Sequence, residues 1–198
     1  MSKAEAFEFG MNALTVLPRG ELNENLDPAY GFGMQVLWSI DGGPLLLGAE
    51  ASVARYGEKR RHLYADFDVI TGNDIGTAHL VLRVQPTSGK VRPYVDALAG
   101  FKLFQTQSTL VVDCGCDDYV VDYETELEDS AFSYGIGLGL QIELGDPHLS
   151  FETKFRYTRG EDATYLTRGS LNDRNLSDRL RESSTDAWSI HIGFSFRL

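Results

Sequence analysis

The sequence predicts an all-β protein, an eight-stranded antiparallel transmembrane β-barrel laid out as an up-and-down meander. Three observations lead there. Apolar and polar residues alternate with period two along nearly the whole chain, and helical periodicity is almost absent. Short and long connections follow one another in turn. On the apolar face, aromatics stand near the ends of the runs and aliphatics in the middle, while the opposite face carries glycine and charge.

Composition is compatible with this. The 198 residues, 42% hydrophobic and 11% aromatic, fit one domain over 1–198 and are too apolar for a disordered chain. No apolar run approaches the ~18 residues of a transmembrane helix. That test does not touch a membrane barrel, whose strands are only half apolar. A net charge of −11 argues against a nucleic-acid partner, which needs a basic face. Two cysteines are too few for a disulfide-rich scaffold or a four-cysteine zinc site. Residues Met1 to Ala6 contain no apolar h-region, so no signal peptide is seen. Either the chain stays in the cytoplasm or its export signal has been removed, and the barrel reading takes the second.

Eight runs alternate, at about 5–17, 29–40, 44–56, 75–85, 91–104, 131–144, 148–158 and 187–198. The first turns Phe7, Phe9, Met11 and Ala13 to one side, and Glu8, Gly10 and Asn12 to the other. The second sets Tyr30, Phe32, Met34, Val36 and Trp38 against Gly31, Gly33 and Gln35. In the third, Leu45, Leu47, Ala49, Ala51 and Val53 oppose Gly48, Glu50 and Ser52. The fourth sets Ala78, Leu80 and Leu82 against His79 and Arg83, and the fifth Val95, Ala97, Ala99 and Phe101 against Arg92, Asp96 and Lys102. The sixth sets Phe132, Tyr134, Ile136 and Leu138 against Gly135, Gly137, Gly139 and Glu143. The last two oppose Phe151, Phe155 and Tyr157 to Glu152, Lys154 and Arg156, then Trp188, Ile190, Ile192, Phe194 and Phe196 to His191, Gly193 and Arg197. Short turns fall at Asp41-Gly42-Gly43, Pro86 to Lys90 and Gly145-Asp146-Pro147. Long extracellular loops are expected near 18–28, 57–74, 105–130 and 159–186.

Alternation does not say which face is outside, but three features favour apolar-out. Phe7, Tyr30, Trp38, Phe132, Tyr134, Tyr157, Trp188, Phe194 and Phe196 form two aromatic girdles around an aliphatic band. Glycine on the polar face suits a narrow eight-stranded lumen. The polar face is also near charge balance, with Arg83, Arg92, Lys102, Lys154, Arg156 and Arg197 against Glu8, Glu50, Asp96, Glu143 and Glu152. Balance is what a lumen needs, because buried charges must be paired. One hydrogen-bonded lumen network is expected from these residues.

Several segments resemble a known family. Val91-Arg92-Pro93-Tyr94-Val95 followed by Ala99-Gly100-Phe101, the alternating glycines of Tyr134 to Gly139, Ser150 to Tyr157, and the closing Ile192 to Leu198 are similar to strands of the bacterial outer-membrane β-barrel domain family, which groups with the OmpA- and OmpX-like eight-stranded barrels. The resemblance covers nearly the whole chain and departs at its last residue, Leu198 in place of Phe. It implies an integral protein of the bacterial outer membrane, set among outer-membrane lipid and lipopolysaccharide and inserted by the barrel-assembly machinery. It does not imply one activity. No cell-wall-binding domain is expected after Leu198.

Candidate chemistry is sparse. An outer-membrane lipid hydrolase needs a Ser–His pair on the lipid side; His79 and His191 fall on the lumen face, His62 in a loop and His148 at a turn, so no enzyme and no cofactor are expected. Residues 105–130 hold eight acidic side chains and no Lys or Arg. Within them Asp113, Asp117 and Asp118 are a weak divalent-cation candidate, with a solvated acidic loop the preferred reading. Cys114 and Cys116 form a tight disulfide or remain two thiols. Lys59-Arg60-Arg61, and Arg159, Arg168, Arg174, Arg179 and Arg181, face lipopolysaccharide phosphates or plain solvent. The leading expectation is a structural or surface-interaction role, with long loops presented to an extracellular protein or polymer. The alternatives are a narrow channel for small solutes and, less favoured, a lipid-modifying enzyme.

Overall fold

In the computed structural model, the chain closes into one antiparallel barrel. The structure describes residues 7–20, 22–23, 26–64, 67–113, 118–166 and 180–198, with the side chains of 58–71, 107–128 and 165–182 excluded. The barrel strands are β1 (Phe7–Pro18), β2 (Ala29–Ser39), β3 (Leu45–Tyr64), β4 (Phe67–Val84), β5 (Val91–Asp113), β6 (Asp118–Leu144), β7 (Asp146–Gly160) and β10 (Ala187–Arg197). Between β7 and β10 lies a separate two-stranded sheet of β8 (Asp162–Leu166) and β9 (Leu180–Ser184). Each barrel strand pairs with its neighbours along the chain, and β1 pairs with β10 from Glu8 opposite Arg197 to Pro18 opposite Ala187, which closes the cylinder.

Parity decides the two faces. Phe32, Leu80, Ile136, Leu138 and Ile192 point outward and are exposed, whereas Glu50, Arg83, Asp96, Glu152, Lys154 and Arg156 point inward and are buried. This inverts a soluble barrel. A closed cylinder with an apolar exterior and a charged interior is stable only with lipid around it, and such barrels span the bacterial outer membrane.

The start of β1 at Phe7, paired with Leu198, and the connections 40–44, 85–90 and around Gly145 lie at one end. The tight turn at Asp41-Gly42 is carried by two left-handed residues, Asp41 at φ 53° and Gly42 at φ 59°. At the other end, the expected loops 57–74 and 105–130 are corrected to paired strand. Strands β3 and β4 run 20 and 18 residues, and β5 and β6 run 23 and 27. A membrane strand needs only ~9–11. Pairing continues from Arg55 opposite Asp74 to Tyr64 opposite Phe67, and from Thr106 opposite Leu127 to Asp113 opposite Asp118. Strand-formers explain the extension: Val111 and Val112 are opposite Val120 and Tyr119, and Thr109 is opposite Tyr123, in spite of the acidic residues. Because β4 also pairs with β5 up to Phe67 opposite Val112, the two hairpins form one four-stranded sheet beyond the bilayer. The 159–186 connection is likewise partly strand, as β8 and β9.

The β8–β9 sheet is held to β6 by Asp129. Its carboxylate accepts the amides of Thr164 and Ser130, both at 2.7 Å. The Thr164 amide, ahead of that of Ser130, holds the Asp129 carboxyl below its ordinary 3.8. The folded value lies below the unfolded one, so the clasp is complete above the ordinary value and is lost as pH falls through the lower one. The Thr164 amide proton resonance is therefore expected to stay constant at neutral pH and to move upfield only below about pH 4. In Asp129→Asn it should not titrate.

Candidate functional site

The lumen is where the chain concentrates its chemistry. Strands β3, β4, β5 and β7 each send in charge at the same level. Arg83, fully buried, donates to Asp96 at 2.7 Å and to Glu152 at 2.9 Å. Lys154 bridges Glu50 at 2.9 Å and approaches Glu152 to 4.0 Å. Arg156 donates to Asp96 at 2.9 Å and to Glu50. Three cations and three carboxylates thus form a neutral cluster across the interior. Neutral groups complete it. The Gln35 amide donates to Glu152 at 2.8 Å, while its carbonyl accepts Lys154 at 2.6 Å. Tyr94 donates to Glu152 at 2.6 Å, and its ring lies under the Arg83 guanidinium at 3.5 Å. The ring needs Gly139 opposite, since a Cβ there would stand 2.1 Å from Tyr94 Cζ.

The Arg197–Glu8 pair at the short-turn end joins the cluster through Gln141, whose amide donates to Glu8 at 3.2 Å and to Glu152 at 3.4 Å. Not every inward charge joins. Arg92 donates to Ser150 Oγ at 3.0 Å rather than to a carboxylate. Lys102 donates to the Thr185 carbonyl, near the opposite mouth. Glu143 is half-exposed at the short-turn mouth. The expectation of one network including Lys102 and Glu143 is corrected accordingly: parity places both inside the wall, but at other heights.

Above the cluster the lumen changes character. Leu14, Leu22, Leu26, Ile75 and Phe104 are buried together with Ala29, Ala54 and Ala131. Leu22 and Leu26 belong to the 18–28 connection, and these two side chains are buried at this level as an apolar lid. Lumen parity had suggested polar residues at this level. The lead was in the sequence as Leu22 and Leu26, two apolar residues four apart in an otherwise polar connection. Gln35, Gln141 and Asn12 were also outside the expected network, being uncharged.

Among the described residues two serine–histidine contacts occur, both on the lumen side. His79 Nε2 lies 2.6 Å from Ser133 Oγ, and His191 lies between Ser189 Oγ and Asn12 Oδ1, each at 2.9 Å. The barrel wall separates them from lipid. His148, at the short-turn end, contacts the Arg197 carbonyl at 2.7 Å.

On the outer surface the aromatics gather near the two ends. Phe7 and Trp38 make an edge contact at 5.7 Å, with Phe196 on the same end of β10 and Phe194 against Phe151 at 6.1 Å. Toward the hairpins, Trp188 stacks on Phe155 and touches Tyr157, both at 4.7 Å, and Phe132 meets Tyr134 at 6.3 Å. Tyr30 is paired opposite Thr15 on that same end and is exposed. Cys114, Cys116 and Asp117 lie outside the described residues, as do Arg168, Arg174 and the side chains of Asp113, Asp118, Lys59, Arg60, Arg61 and His62. Arg179 lies there too, with the side chain of Arg181, while Arg159 stands 3.8 Å from Asp186.

No family model matches the chain, and neither does any curated protein sequence. Among solved structures, the chain is similar to the outer membrane protein OprG from Pseudomonas aeruginosa, with 13% identity and a TM-score of 0.51 over 99% of this chain and 97% of that one. It is also similar to Neisserial surface protein A, with 13% identity and a TM-score of 0.49 over 98% and 97%. A third is Ail, the attachment invasion locus protein of Yersinia pestis, with 16% identity and a TM-score of 0.42 over the full length of both chains. The likeness to OprG is one of fold, that of the outer-membrane barrels.

Removing one carboxylate from the cluster leaves three buried cations against two carboxylates, and one uncompensated buried charge costs about 3–5 kcal/mol. Glu152→Ala is expected to lower the unfolding midpoint in detergent by that order. Glu143→Ala, outside the cluster and half-exposed, should change it by only about 0.5 kcal/mol. Equal losses would show that the two carboxylates carry the same structural burden.

Proposed function

We propose that the protein is a non-catalytic structural and surface-interaction component of the outer membrane, with all 198 residues serving as one barrel domain that presents its hairpins to an extracellular partner. The observation that carries this reading is the continuation of β3 to β6 beyond the bilayer as a four-stranded sheet. Strand β5 overshoots a membrane span by about a dozen residues, on the order of 40 Å of strand. A barrel that served only as a wall has no use for such a projection. Its β5–β6 part holds the eight acidic residues of 105–130, so charge complementarity favours a protein or polymer with a basic face. The aromatic girdles act as interface anchors, lipopolysaccharide and lipid as the barrel's surroundings, and the closing strand through Leu198 as the segment handed to the assembly machinery.

Conduction is the weaker reading, because the ion cluster crosses the lumen and the apolar lid covers it. In planar bilayers the purified protein is expected to give no steady openings. Shortening β5–β6 by removing 108–123 should leave folding unchanged and abolish binding of whole-cell or matrix partners, with log affinity in the intact protein falling as salt rises. Steady conductance, or binding indifferent to the deletion, would refute the proposal.

A further inference from the structure

Between the ion cluster and the lid lies a cavity of about 40 Å³, measured as the space open to the centre of a water-sized sphere. Leu14, Leu22 and Phe104 roof it, and Arg156, Lys102, Ser52 and Thr77 are among the side chains around it. These polar groups share one property: they hold hydrogen-bond donors that no protein acceptor uses. Lys102 is 4% exposed and donates only to the Thr185 carbonyl, and among the described residues no carboxylate comes within ion-pair distance of it. The nearest carboxylate to that carbonyl in sequence, Asp186, is engaged by Tyr157 at 2.8 Å and by the Gly160 amide at 3.2 Å. Arg156 Nε, also buried, has no protein acceptor. Ser52 and Thr77 hydroxyls contact each other at 2.7 Å, and since one donates to the other, one hydroxyl hydrogen of the pair is left over.

The charged acceptors on the same wall are already taken, and among the described residues His79 Nδ1 and lone pairs of the Ser52 and Thr77 hydroxyls are what remains. The two Glu50 oxygens accept Lys154 and Arg156. His191 has both ring nitrogens occupied, by Asn12 and Ser189. His79 uses Nε2 on Ser133. The cluster below is charge-neutral, so the Lys102 ammonium is an excess positive charge in a buried space, and an uncompensated buried charge costs several kcal/mol. Water can hydrogen-bond in such a space but brings no charge to offset the ammonium.

We propose that this cavity is a binding site for a small monovalent inorganic anion of chloride size, held by Lys102 and Arg156 Nε and by the spare hydroxyl hydrogen of Ser52 and Thr77. The anion neutralises Lys102 and accepts from donors on β3, β4, β5 and β7, so it cross-links the barrel wall directly beneath the lid.

Bromide is the probe. Protein refolded and crystallised in bromide is expected to show an anomalous peak in this cavity, and Lys102→Met refolded in the same way should show none. In solution, the unfolding temperature should rise with bromide at constant ionic strength against gluconate, which is too large for the space, and the Lys102→Met variant should lose that dependence. If the variant does not refold, the wild-type crystal decides alone. A cavity holding only water after refolding in bromide, or a peak that persists in Lys102→Met, overturns the proposal.

Discussion

An eight-stranded barrel has room inside only for side chains, and this one fills that room with charge. The Arg83–Asp96–Arg156–Glu50–Lys154–Glu152 circuit is the interaction on which the rest depends. Lipid satisfies the exterior without help from the chain, but nothing outside the chain can satisfy six buried ions. Their neutrality must be built in, with hydrogen bonds from Gln35 and Tyr94 taking the lone pairs that ion pairing leaves over. The glycines follow from the same constraint. Gly139 gives Tyr94 its place, and Tyr94 in turn stacks under Arg83.

Closure of the lumen then shifts the burden of function outward. The cluster and the buried Leu14, Leu22, Leu26 and Phe104 fill the interior, and the proposed surface role rests on the extended sheet of β3 to β6 instead. That sheet rises from a wall made rigid by the cluster, which lets acidic strands stand well clear of the bilayer. Asp129 ties β8 to β6, and Asp186, just after β9, is held by Tyr157 and the Gly160 amide of β7.

Much of the fold was legible in the sequence because a membrane barrel imposes opposite solvents on alternate residues. Arg83 and Leu82 differ by one position and by one face, and period two reports that directly. It does not report height. Lys102 and Glu143 share the lumen parity of Glu152 yet sit at other levels, so parity alone overstated the network. The extent of β5 and β6 was hidden for a related reason. Past the bilayer both faces of a strand meet water, the apolar–polar contrast fades, and Asp122-Tyr123-Glu124-Thr125 reads as a loop although its backbone is paired. Parity could not report the lid, because Leu22 and Leu26 belong to a connection where it has no meaning, and only their apolar spacing of four pointed to it.

The central claim is that Arg83 and Glu152 stabilise the barrel as members of one coupled circuit. A double-mutant cycle with Arg83→Met and Glu152→Gln, followed by reversible unfolding in detergent or lipid vesicles, measures that coupling. The circuit predicts an interaction energy of about 1–3 kcal/mol between the two positions. Additivity within about 0.5 kcal/mol would show that the two side chains act independently and that the lumen is not held by a shared network.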